Sequence, residues 1–131
     1  MDWDSVLPAA FDAVNRADAD ALAELCHDDV TIRPMRAAFE DTVYRGRTGV
    51  ARFIAEGREA WPELHGELHT FETRGDLVFA VGRMSGHSQS GLPLDIALAW
   101  IGHGLDGKVL RITTYLDLDA ARRDFESQAG G

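Results

Sequence analysis

Residues 75–117 read GDLVFAVGRMSGHSQSGLPLDIALAWIGHGLDGKVLRITTYLD. Three apolar-rich runs are separated there by Ser90-Gly91 and Asp106-Gly107, dipeptides that close tight turns, and Gly75-Asp76 opens the first run in the same way. An antiparallel meander follows from that punctuation. In the middle run, alternation puts Leu92, Leu94, Ile96, Leu98 and Trp100 on one face, and Pro93, Asp95, Ala97, Ala99, Ile101 and His103 on the other. A sheet with apolar residues on both faces is covered on both, and charged residues inside it (Arg83, His87 and Asp95) are pocket candidates, because a buried charge needs a partner. The bulky face is assigned to a second copy of the chain, which predicts a homodimer, and the roomier face to a pocket.

Upstream of the meander the period changes from two to that of a helix. Leu7, Ala10, Phe11 and Val14 make one apolar stripe on a first helix, with Ser5 as a cap. Asp18 caps a short second helix carrying Leu22, Leu25 and Cys26, and a brief strand follows over 30–32. Residues 33–49 are irregular, broken by Pro34, Gly46 and Gly49, before Thr48 caps a third helix with Val50, Phe53 and Ile54 that ends at Trp61-Pro62. Strands are expected over 64–74, 77–88, 92–103 and 108–116. A last short helix capped by Asp117 or Asp119 ends near Phe125, before a fraying tail. Helices first and antiparallel strands afterwards define an α+β domain, its curved sheet wrapped around the N-terminal helices.

Length and composition exclude several classes. The chain has 131 residues and 45% hydrophobic content, which suits one folded domain over 1–131. Its 13 Lys and Arg against 22 Asp and Glu give a net charge of -9, so nucleic acid and anionic membrane surfaces are poor partners. No apolar run approaches the roughly 20 residues of a membrane span, and the start lacks a basic-then-apolar leader, so a cytoplasmic location is expected. Cys26 stands alone, and His27, His65, His69 and His103 lack ligand spacing; neither a metal nor a cofactor is expected.

Several local signatures accompany this order of elements: Phe11-Asp-Ala-Val-Asn15 followed by Asp18-Ala-Asp20, Leu25-Cys-His-Asp-Asp-Val30, Tyr44-Arg-Gly-Arg-Thr-Gly49, and Asp106-Gly-Lys-Val109 followed by Tyr115-Leu-Asp117. Together they resemble the nuclear transport factor 2-like fold, the cone-shaped α+β family that includes ketosteroid isomerase, limonene-epoxide hydrolase and SnoaL-like polyketide cyclases. The resemblance spans nearly the whole chain. It implies that Phe79, Val81, Arg83, Ser85 and His87 point into the cone, with Asp95, Ala97, Ala99 and Ile101, then Ile112, Thr114 and Leu116. Phe11, Val14, Met35, Phe39, Tyr44, Phe53 and Trp61 belong to the core, which in a cone is also the cavity wall.

Set against these relatives, the catalytic groups are sparse. At the positions that resemble those of the inward acidic donor, the tyrosine and the base of ketosteroid isomerase, this chain has Ala99, a residue near Ala10 and Arg33-Pro34, so that apparatus is missing. Arg83 matches the arginine of limonene-epoxide hydrolase, but Ser85 and Thr114 replace its carboxylates. The stretch Gly82-Arg-Met-Ser-Gly-His87 with Leu92-Pro93 is most similar to SnoaL-like cyclases, and Asp95 is the acid left to partner His87.

Two functions from different classes follow. One is a homodimeric SnoaL-like protein binding a hydrophobic small molecule with a polar handle, with a cofactor-free isomerisation, cyclisation or dehydration in which His87 or Asp95 moves a proton and Arg83 steadies an enolate oxygen. The other is a non-catalytic binding or assembly module whose cavity is filled by its own side chains. Arg83 itself keeps two readings, a structural ion pair with Asp95 or a ligand contact.

Overall fold

The computed structural model describes residues 1–34 and 42–130. Among them, helix α1 (Trp3–Asn15) and helix α2 (Ala19–Leu25) precede strand β1 (Cys26–Arg33). A two-residue strand β2 (Tyr44–Arg45) leads into α3 (Gly46–Ala60), and then come β3 (His65–Arg74), β4 (Leu77–His87), β5 (Pro93–Leu105), β6 (Lys108–Tyr115) and α4 (Leu118–Gly130). The meander appears as expected from its turns: β3, β4, β5 and β6 pair antiparallel in sequence order, and Asp106 and Gly107 both take the positive φ their hairpin requires. The sheet nevertheless ends up mixed. Strand β1 joins β6 in parallel, β2 edges it, and the order β2-β1-β6-β5-β4-β3 is a curved, unclosed α+β cone.

Local chemistry explains the element ends. Asp2, not Ser5, caps α1 by accepting from the Ser5 N–H at 3.3 Å, so the helix begins three residues earlier than a Ser5 cap would set it. Asp18 caps α2 as expected, accepting from the Ala21 N–H at 3.0 Å. Thr48 does not cap α3, which starts at Gly46 without a side-chain cap; α4 runs past Phe125 to Gly130, beyond the short helix expected, behind Asp117, which accepts from the Asp119 and Ala120 N–H groups.

Two apolar clusters sit on opposite faces of the sheet. On the inner face, Trp3, Leu7 and Ala13 of α1, Leu22 of α2 and Val50 and Ile54 of α3 pack with Val30, Val78, Ala80 and Val109. On the outer face, Ala121 and Phe125 of α4 bury Phe79, Ala99 and Ile101. Each large side chain so buried contributes roughly 1.5–3 kcal/mol.

That division reverses the assignment made from alternation. The bulky face of β5 is the inner one: Leu98 is 1% exposed and Trp100 packs on Phe11 edge to face, with centroids 5.2 Å apart. Of the surface assigned to a second copy, Leu98 and Trp100 are taken up by the chain's own core, whereas Leu94 and Ile96 are half-buried and Leu92 is 62% exposed. The physical reason is reach. Large side chains bridge the gap to α1 and α3, whereas on the outer face Ala99 and Ala121, both 0% exposed, let α4 lie close against the sheet.

Candidate functional site

The cone holds an apolar cavity in two adjoining lobes. The deeper lobe, about 120 Å³, lies between α1 and the sheet, walled by Trp3, Val6, Leu7, Ala10, Phe11 and Val14 of α1, with Leu22 and Cys26 at its base. The second, about 110 Å³, is bounded by Pro34, by Gly57, Ala60 and Trp61 at the end of α3, and by Leu64 and Leu98. Phe53, Met84, Trp100 and Thr114 line both. An apolar cavity of about 150 Å³ holds benzene, so the two lobes together have room for a ligand of about ten heavy atoms.

Glycine creates part of this space. Gly66 stands on the wall opposite Phe11, and a Cβ there would lie 2.9 Å from Met84 Sδ and 3.4 Å from Phe11. The frame around it is hydrogen-bonded. Asn15 exchanges two bonds with the Gly66 backbone, and the Arg58 guanidinium donates to the carbonyls of Val14, Asn15 and Pro62, tying the end of α1 to the connection after α3. Trp3 donates its indole N–H to the Asp76 carbonyl at 3.2 Å, which leaves its ring to the cavity.

Chemically the walls are almost inert. Among the described residues the lining contains no Asp, Glu, Lys, Arg or His, and its one ionisable group is Cys26. Burial pushes that thiol up to about 11, against the opposing pull of Lys108 and Arg47. Thr114 lines both lobes, and among the described residues its hydroxyl makes no hydrogen bond. No group of three His, Cys, Asp or Glu side chains among the described residues converges as metal ligands do. No helix among them is long and apolar enough to cross a membrane.

The structure divides the residues singled out from the sequence. Phe11, Val14, Phe53, Ile112 and Thr114 line the deeper lobe, and Trp61 lines the second. Arg83, Asp95, Val81, Ser85, Ala97 and Ala99 stand on the outer face, opposite the cavity, because β4 and β5 turn their even-numbered residues inward: Met84, Leu98 and Trp100. The expected inward register is therefore one residue out on these two strands, although correct on β6. Arg83 and Asp95 do pair, with Nε and Nη2 both 2.9 Å from Oδ1, but their side chains are 42% and 68% exposed. His87, at the end of β4, is 58% exposed and 3.7 Å from Glu63. Thus neither His87 nor Asp95, expected to move a proton, nor Arg83, expected to steady an enolate oxygen, lines either lobe.

Tyr44 is buried without lining either lobe; it packs on Phe53 and donates its hydroxyl to Glu56 at 2.7 Å. Leu116 lies just beyond β6 and lines neither lobe; Met35 and Phe39 lie outside the described residues. Met84, Trp100 and Gly66 were missed. Their signal was present in the bulky parity of the strand from Leu92 and in the glycine opposite Phe11.

Tyr115 faces outward and donates to Asp124 of α4 at 2.8 Å; burial, reinforced by that carboxylate, pushes it up to about 12.

Comparison with known proteins agrees with this architecture. No curated protein sequence matches the chain. Among solved structures it is similar to a protein with a ketosteroid isomerase-like fold from Catenulispora acidiphila, crystallised with trimethylamine, at 18% identity over 96% of this chain and 92% of that one, TM-score 0.77. It is also similar to a protein assigned as a SnoaL-like polyketide cyclase from Jannaschia sp., at 19% identity over 95% and 91% of the two chains, TM-score 0.72. TerC, co-crystallised with polyporic acid, shares the fold at 18% identity over 95% and 97%, TM-score 0.76. Identities this low speak to the fold alone. The SnoaL-like domain model, however, matches residues 8–120, and the chain belongs to that family.

Proposed function

We propose that this protein binds a hydrophobic small molecule with one polar handle in the two-lobed cavity, and that it does so without acid–base chemistry by Arg83, His87 or Asp95. The observation that carries the reading is the cavity wall itself: aromatic and aliphatic side chains from α1, α3 and the inner sheet face enclose space that the described side chains leave open. Proton transfer needs a group within hydrogen-bond reach of the reacting atom; Arg83 and Asp95 stand on the opposite face of the sheet, and His87, at the end of β4, lines neither lobe. At the level of fold, two structural neighbours were crystallised with small organic molecules, which supports binding as the use of such a cone.

The test is saturable binding. Neutral apolar compounds of about ten heavy atoms should raise the melting temperature and change the fluorescence of Trp61 and Trp100, which line the lobes. A panel in which no compound does either overturns the reading.

A further inference from the structure

We infer that the cavity selects uncharged ligands whose single hydrogen-bonding oxygen lies between two apolar arms and meets the Thr114 hydroxyl. The inference rests on the binding reading above and specifies the ligand class.

The position of Thr114 sets the ligand's shape. It lines both lobes, together with Phe53, Met84 and Trp100, so a polar atom at its hydroxyl has apolar space on either side. A ligand with its polar group at one end would meet there a weak thiol donor at Cys26 or an indole N–H at Trp61, neither of which donates and accepts as well as the threonine hydroxyl does. Threonine's hydroxyl both donates and accepts, so it serves a ketone, an ether, an epoxide or an alcohol.

The absence of charged side chains from the described lining sets the ligand's charge. A carboxylate or ammonium entering the cavity would lose its hydration without an ionic partner among the described lining residues, and such a transfer is disfavoured by far more than an apolar contact returns. Among the described residues, Arg58 is a cation beside the lining residue Gly57, and its guanidinium is committed to the carbonyls of Val14, Asn15 and Pro62. Releasing it to meet an anion would expose those carbonyls and loosen the frame of the cavity.

Three probes of matched shape separate the possibilities: dibutyl ketone, nonane, and 2-butylhexanoate, which carries a carboxylate between the same two arms. Binding is read by calorimetry and tryptophan fluorescence at pH 7.5 on the full chain and on Thr114→Val. The carboxylate should bind at least about 100-fold more weakly than the ketone, and Thr114→Val should weaken the ketone about 2- to 12-fold without weakening nonane. Equal binding of ketone and carboxylate, or an unchanged ketone affinity in a folded Thr114→Val, overturns the inference while the binding reading stands. Failure of all three probes on the unaltered chain overturns both.

Discussion

The carboxamide of Asn15 and the backbone of Gly66 exchange two hydrogen bonds: Asn15 Nδ2–H donates to the Gly66 carbonyl at 2.9 Å, and the Gly66 N–H donates to Asn15 Oδ1 at 2.7 Å. Strand β3 is an edge of the sheet, so the side chain supplies there the pair of bonds that a further strand would have made. The same contact holds the end of α1 over the cavity, beside Phe11 and Val14.

Asn15→Ala removes both partners of a part-buried backbone donor and acceptor. An unsatisfied buried group costs about 1–3 kcal/mol, so urea denaturation should show a loss in that range. A loss below about 0.5 kcal/mol would mean that water replaces the amide at no cost.

Arg83 and Asp95 should tolerate replacement. Their pair is solvent-exposed, and such pairs contribute about 0–1 kcal/mol. Arg83→Met and Asp95→Asn are expected to unfold within about 1 kcal/mol of the unaltered protein and to bind dibutyl ketone with unchanged affinity. An affinity loss of tenfold or more in either variant would return these residues to the site and place the register of β4 and β5 in question.

The fold was legible because its signals are local. Asp106-Gly107 and Ser90-Gly91 mark hairpins, Asp18 marks a helix start, and period-two alternation marks strands, each requiring only a few neighbouring residues. The parallel pairing of β1 with β6 was not, since nothing near Val30 encodes a partner some eighty residues away. The site was half legible for a related reason. Alternation separates the two faces of a strand without saying which one meets the helices, and the sequence offered a misleading cue: Arg83 and Asp95 among apolar residues suggested burial, while Ala97 and Ala99 suggested room for a ligand. The space beside Ala99 is instead taken by Ala121 and Phe125 of α4, a helix contributed by the end of the chain. Strand β6 offered no such conflict, and Ile112 and Thr114 were placed correctly.

Acid should loosen α4 before the rest of the molecule. Arg74 and Arg122 form a closed ring of ion pairs with Glu72 and Glu126, and Arg122 lies over the Phe79 ring, its Cζ 4.4 Å from the centroid. The bond from Arg122, then that from Arg74, holds Glu72 below the usual carboxylate range; Glu126 is lowered by Arg74 first and Arg122 second. A carboxylate depressed in the folded state stabilises it above the unfolded pKa of about 4.3, and that contribution is lost as pH falls through the folded value. Amide exchange in α4 should therefore be flat from neutrality to about pH 5 and lose protection below about pH 4, an effect diminished by 1 M salt and in Glu72→Gln/Glu126→Gln. Equal acid sensitivity in that double variant would assign the effect to other groups.

Cys26 should be slow to modify in the folded protein. With the thiol at about 11 against an ordinary value near 8.5, its thiolate fraction at pH 8 falls by roughly two orders of magnitude, and burial adds a barrier to the reagent. An aromatic disulfide reagent at pH 8 should react with one equivalent promptly in 6 M guanidinium and at least about 100-fold more slowly without it. Dibutyl ketone at saturation should slow the native reaction further, because Cys26 lines the deeper lobe. Prompt native labelling would show that the base of the cavity opens to solvent.

Filling the deeper lobe offers a test of the site that does not depend on any polar contact. Ala10 faces it from α1, while Ala9, the adjacent residue on the same helix, is exposed. Ala10→Leu adds three carbons to the cavity and replaces one good helix former with another, so stability should hold or rise by up to about 1–2 kcal/mol. Dibutyl ketone affinity should fall at least tenfold, because the added side chain occupies the volume that one butyl arm needs. Ala9→Leu adds the same carbons to the solvent face and should leave affinity unchanged. If the two variants bind alike, the ligand sits elsewhere. If Ala10→Leu loses more than about 2 kcal/mol, the lobe is too narrow for three carbons, and a ketone that still bound the unaltered chain would have to enter through the second lobe alone.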